Sequence, residues 1–83
     1  MNKSDKDKLK VLIKMILIQK SPRFLTANQI YNIINNHKWG FTTSITSAKI
    51  GALLSDELKR NDNHFMDCIE SRKWKNGMVY RIP

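Results

Sequence analysis

Arg72, Lys73, Lys75 and Arg81 lie within ten residues of one another, with Trp74 among them. Cations beside an indole suit a nucleic acid, whose phosphates take the charge while a sugar or base takes the ring. Trp74 has a second reading, as cover for Val79 across a strand pair. Ser44, Thr46 and Ser47 precede a helical stretch carrying Lys49, Lys59 and Arg60. The free N–H groups at such a helix start suit a phosphate. Catalytic chemistry finds fewer residues. His37 falls on an apolar helix face and reads as a core or edge histidine. His64 stands four residues from Cys68, and one such pair is too few ligands for zinc. The sequence holds no glycine-rich phosphate loop, paired carboxylate set or nucleophile signature. These residues point to a binding protein, with no enzyme activity, cofactor, metal or small-molecule substrate expected.

Positioning these groups falls to a chain of 83 residues, enough for one domain with one modest core. Residues 1–83 read as a single unit, with 1–4 as a disordered start. Fifteen Lys and Arg against seven Asp and Glu give a net charge of +8, which favours an anionic partner, nucleic acid before membrane. With 41% hydrophobic residues the chain is an ordinary globular protein rather than a disordered tail. A single cysteine excludes an intrachain disulfide and suits a reducing compartment, cytoplasmic or nuclear. Lys14 interrupts the apolar run at Val11–Ile18, which is too short to span a bilayer and lacks a signal-peptide cleavage site after it.

The apolar spacing predicts three helices and a hairpin. Leu9, Leu12, Ile13 and Ile16 share one face of a helix from Asp5 to Lys20, which Ser21-Pro22 ends. Thr26 caps a second helix, with Gln29 completing a capping box, and Ile30, Ile33, Ile34 and His37 form its stripe. That helix ends near Lys38, with Gly40 as the turn residue. Phe24-Leu25-Thr26 just before it reads as one short strand. A third helix runs from Thr46 to Arg60, capped by Ser44 or Thr46, with Ile50, Leu53, Leu54 and Leu58 buried. Phe65–Lys75 and Met78–Ile82 form two strands joined at Asn76-Gly77, a strong type I′ turn signal. That turn places Lys75 opposite Met78, Trp74 opposite Val79, Lys73 opposite Tyr80 and Arg72 opposite Arg81. Ile69, Met78, Tyr80 and Ile82 then face the core, and Cys68 is a small strand hydrophobe.

Three short helices followed by such a hairpin resemble the winged helix-turn-helix plan over nearly the whole chain, Leu9 to Ile82. The stretch Phe24-Leu25-Thr26-Ala27-Asn28-Gln29-Ile30-Tyr31 looks like the opening of a winged-helix second helix. The stretch from Ile45 to Leu54 looks like the start of a recognition helix, and Arg72 to Ile82 like a basic wing closed by an aromatic strand. The chain is similar in appearance to RFX-type domains, to the C-terminal winged helices of viral and phage primase-helicases, and to HARE-type domains. The resemblance implies a mainly α fold with a small β-hairpin: three helices and a C-terminal two-stranded wing. It further implies a duplex DNA-binding protein, acting as a transcription regulator or a replication or plasmid-maintenance factor. The alternative is a winged-helix protein-interaction module within a larger nucleic-acid-processing assembly.

With Ile50 at the centre of the buried face, Ala48, Ala52, Ser55 and Lys59 point outward, where small residues let a helix enter a major groove about 12 Å wide. The expected DNA contacts are therefore Ser44, Thr46, Ser47, Lys49, Lys59 and Arg60, with Arg72, Lys73, Trp74, Lys75 and Asn76 on the wing. The first helix carries a second apolar row, Val11, Met15 and Ile18, opposite the core row. Either the hairpin or C-terminus covers it, or it is the interface of a homodimer.

Overall fold

The computed structural model describes residues 3–36, 44–60, 67–75 and 77–83. Among the described residues three helices lie against a three-stranded antiparallel sheet: α1 (Lys3–Gln19), β1 (Leu25–Thr26), α2 (Ala27–Asn35), α3 (Ser47–Lys59), β2 (Glu70–Trp74) and β3 (Gly77–Arg81). The fold is thus a small α+β one. The two-stranded hairpin expected from the sequence gains a third strand, and the order is β1-β3-β2. Leu25 pairs with Tyr80 and Thr26 with Val79, so β1 ties the start of α2 to the central strand.

Local chemistry sets the helix starts. Thr26 Oγ1 accepts from the Gln29 N–H at 3.1 Å while Gln29 Oε1 accepts from the Thr26 N–H at 2.9 Å, the reciprocal box expected at the start of α2. Of the two candidate caps for α3, Thr46 serves: its hydroxyl accepts from the Lys49 N–H at 3.2 Å. At its other end α2 stops at Asn35, short of Lys38, with the Asn36 N–H donating to the Asn32 carbonyl. His37 and Gly40 lie outside the described residues, as does His64. Lys3 and Ser4 are helical, so α1 takes in half of the start expected to be disordered.

The core is one cluster. Leu9, Ile13, Ile16 and Leu17 of α1 meet Ile30 and Ile34 of α2, Ile50, Leu53 and Leu54 of α3, and Leu25, Ile69 and Tyr80 from the sheet side. All four expected α1 core residues are buried, and Leu17 joins them. An added Cβ on Gly51 would meet the Ala27 Cβ at 3.8 Å, so the start of α2 approaches the second turn of α3 closely. Burial pushes the Tyr80 phenol above its ordinary range.

Three further expectations need correction. Leu58 is 46% exposed, and Glu57 takes its place inside. The reason is angular. At 100° per residue Glu57 falls about 20° from Ile50 and Leu58 about 80°, so the carboxylate lies nearer the middle of the apolar face. Glu57 Oε1 is 2.6 Å from Lys10 Nζ of α1, whereas Oε2 has no hydrogen-bond partner.

Cys68 is exposed and precedes β2 rather than lying in it, so it is not a strand hydrophobe.

The hairpin register is shifted by two residues. Glu70 pairs with Arg81, Ser71 with Tyr80, Arg72 with Val79, Lys73 with Met78 and Trp74 with Gly77. Lys75, directly after Trp74, is a turn residue at φ 51°, and Asn76 lies outside the described residues. An even shift keeps the same residues facing inward, so burial does not choose between the registers. Charge does. Asn76-Gly77 at the turn would set Arg72 opposite Arg81, a destabilising like-charge pair, whereas the observed pairing sets Glu70 against Arg81.

Candidate nucleic-acid interface

The outward face of α3 is arranged as expected. Ala48, Ala52, Ser55 and Lys59 are exposed, and so is Asp56 on its flank. At the N-terminal end Ser44 and Thr46 are exposed and Ser47 is half-buried. Lys49 is half-buried too. Its Nζ donates to the Ser44 carbonyl at 2.5 Å, which bends the side chain back toward the helix start. Lys49 also lines a 230 Å³ cavity with Lys6, Ala52, Leu53 and Asp56, on the side nearer α1. Lys59 ends α3 and Arg60 caps it, both exposed, one helix length from the other candidates.

The sheet presents its outer face through strand alternation. Thr26 pairs with Val79 and Val79 with Arg72, so Thr26, Val79 and Arg72 share that face with Glu70, Trp74 and Arg81. Phe24, one step before β1, lies beneath two guanidinium groups: Arg81 Cζ is 4.5 Å and Arg72 Cζ 5.0 Å from its ring centre. Arg81 Nε donates to Glu70 Oε2 at 2.5 Å, and its Nη1 makes a long 3.5 Å contact to the Pro22 carbonyl. The Arg81 hydrogen bond holds the exposed Glu70 carboxyl below its ordinary range, with the charges of Arg81 and Arg72 adding to this. Arg81 therefore serves the sheet, whereas Arg72 is exposed along its edge.

Trp74 is half exposed, and Lys75 Nζ lies 5.7 Å from its ring centre. Lys73 is exposed on the opposite face, paired with Met78. Trp74 and Thr26 line two cavities of about 360 Å³ each. Ala27, Asn28, Ser47, Ala48, Gly77 and Met78 line the first with them, joining the starts of α2 and α3 to the hairpin. Phe24, Gln29, Arg72 and Val79 line the second, on the outer face of the sheet. The structure thus brings Ser47 beside Trp74 and leaves Lys59 and Arg60 apart. Phe24, Thr26, Ala27 and Asn28 were not among the expected site residues. They join the site because β1 pairs with β3, a partnership that the pattern of one short strand does not specify.

Among the described residues none covers the apolar row on α1. Val11 is 58%, Met15 56% and Ile18 60% exposed, so neither the hairpin nor the C-terminal residues lie over it. Among the described residues no group of three or more His, Cys, Asp or Glu could hold a metal ion, and no helix is long and apolar enough to cross a membrane. No family model, curated protein or solved structure matches the chain.

Proposed function

We propose that this chain is a winged-helix module that binds duplex DNA and has no catalytic activity of its own. In this reading α3 enters the major groove and the β2–β3 hairpin lies along the backbone or minor groove, in a transcription regulator or a replication or plasmid-maintenance factor. One observation carries it: the first turn of α3 and the basic hairpin share the walls of one groove. A duplex laid on the small outward face of α3 would meet Trp74 and Lys75 with the same approach. Support also comes from the succession of three helices and a hairpin, which is the order the winged-helix resemblance implies.

The exposed row on α1 favours a second reading, in which the module meets protein through that face, either a second copy of itself or a larger nucleic-acid-processing assembly. A two-fold dimer would suit DNA as well, because it sets two recognition helices about 34 Å apart.

The test is the affinity for random duplex DNA across a salt series. If about five phosphates are neutralised, log affinity falls against log salt with a slope of about −4.5. Lys75→Ala weakens all sequences alike, and Lys49→Ala changes sequence preference. No duplex binding at low salt overturns the reading and leaves the protein-interaction module.

A further inference from the structure

We infer that the outer face of the sheet is a stacking platform for an unpaired nucleotide, which makes the protein a binder of junctions between duplex and single strand. The inference rests on the nucleic-acid reading above and deepens it. Its geometric basis is separate, because helix α3 contributes no residue to the second cavity.

Phe24 and Trp74 line that 360 Å³ space, with Val79 also in its wall; the Phe24 ring lies beneath Arg72 and Arg81, so Trp74 is the ring left open for stacking. Val79 is buried at 6% exposure although it points away from the core, so its neighbours on the outer face already screen it. Trp74 stays half exposed and is not consumed in covering it. A base needs a flat apolar surface on which to stack, and every base has one, so such a platform is indifferent to sequence. It also needs cations for the adjoining phosphates. Arg72 and Lys75 supply them at the edge of the face, whereas the charge of Arg81 is matched by Glu70. Gln29 lies in the same wall. Its Oε1 is held by the Thr26 N–H, which leaves the amide NH₂ to donate to a base edge.

An apolar peptide partner fits less well, since the half-exposed Trp74 ring is flanked by the exposed cations Arg72 and Lys75. Continuity with the first cavity gives the strand its direction. Thr26 and Trp74 line both cavities, so a strand leaving a duplex held at α3 crosses the Trp74 ring to reach the outer face.

The experiment measures anisotropy of labelled DNA with the full chain. The probes are a blunt random duplex, the same duplex with a short oligothymidine tail, and the oligothymidine alone. The tailed duplex is expected to bind about tenfold more tightly than the blunt one, as stacking of one base allows. Trp74→Ala brings the ratio of the two affinities close to one, and Trp74→Phe keeps most of the advantage. Arg72→Gln, at an exposed position, lowers the ratio in a chain whose melting is checked beside the wild type. A tail that gives no advantage, or a ratio that survives Trp74→Ala, overturns the inference. If the blunt duplex is not bound but oligothymidine is, and Trp74→Ala abolishes that binding, the duplex reading fails while the platform stands.

Discussion

Lys10→Met removes the cation beside a carboxylate that is 1% exposed, and the cost follows from where that carboxylate lies. Glu57 Oε1 is 2.6 Å from Lys10 Nζ, while Oε2 is buried with no hydrogen-bond partner. Breaking a buried pair from one side costs about 3–5 kcal/mol, because the remaining charge is left without compensation. The Lys10 side chain is 23% exposed, so water screens part of the attraction and the expected loss is nearer 2–3 kcal/mol. In a domain of this size that lowers the melting temperature by roughly 10–20 °C. Replacing both partners, Lys10→Met with Glu57→Leu, fills the same space with apolar atoms and removes the unsatisfied oxygen. That variant is expected within about 1 kcal/mol of wild type, or above it. Urea unfolding of the wild type, both single variants and the double variant gives the cycle. If Lys10→Met alone unfolds within about 0.5 kcal/mol of wild type, Glu57 keeps access to water or finds another partner, and the burial argument is wrong.

Gly77→Ala tests the hairpin register. Gly77 lies in β3 opposite Trp74, outside the left-handed region, and nothing stands within 4 Å of an added Cβ. Alanine there should therefore raise stability in urea by about 0.4–1 kcal/mol, whereas an Asn76-Gly77 turn requires a loss. Met15→Glu tests the α1 face. Met15 is 56% exposed, so the folded monomer should melt within about 0.5 kcal/mol of wild type, while any self-association in sedimentation is abolished. A wild type that stays monomeric at high concentration rules out the dimer, and unfolding of the Met15→Glu monomer would return this row to the core.

The apolar skeleton was readable in the residues because burial repeats at helical spacing. Leu9, Leu12, Ile13, Ile16, Ile30, Ile34, Ile50, Leu53 and Leu54 are all buried as their pattern implies. Caps were readable for a similar reason: Thr26 and Gln29 need only three residues of sequence to find each other. What escaped depends on groups far apart in the chain. Glu57 reads as a surface residue until α1 brings Lys10 beside it. The turn was misplaced because Asn76-Gly77 is a local signal, while the choice of register turns on Glu70 and Arg81, eleven residues apart. The left-handed Lys75 that this register requires costs about 1–2 kcal/mol, a strain the local pattern argues against. Phe24 joined the site by the same long-range route, through the pairing of β1 with β3 and its two guanidinium neighbours.

The charge count sharpens what a salt series can decide. In the proposed DNA-binding reading a net charge of +8 overstates the charge on offer, because several cations already serve the fold: Lys10 with Glu57, Arg81 with Glu70, and Lys49 with the Ser44 carbonyl. Along α3 and the hairpin the exposed cations are Lys59, Arg60, Arg72, Lys73 and Lys75. They fall into two groups, because Lys59 ends a 13-residue helix, about 18 Å from its first turn at 1.5 Å per residue. If the helix lies along the groove, both groups reach phosphate and the slope is about −4.5. If the duplex touches only the first turn and the hairpin, Arg72, Lys73 and Lys75 act alone and the slope is nearer −3. Lys59→Ala separates the two poses. It reduces the slope by about one where the helix lies along the groove, and leaves it unchanged where only the first turn is inserted.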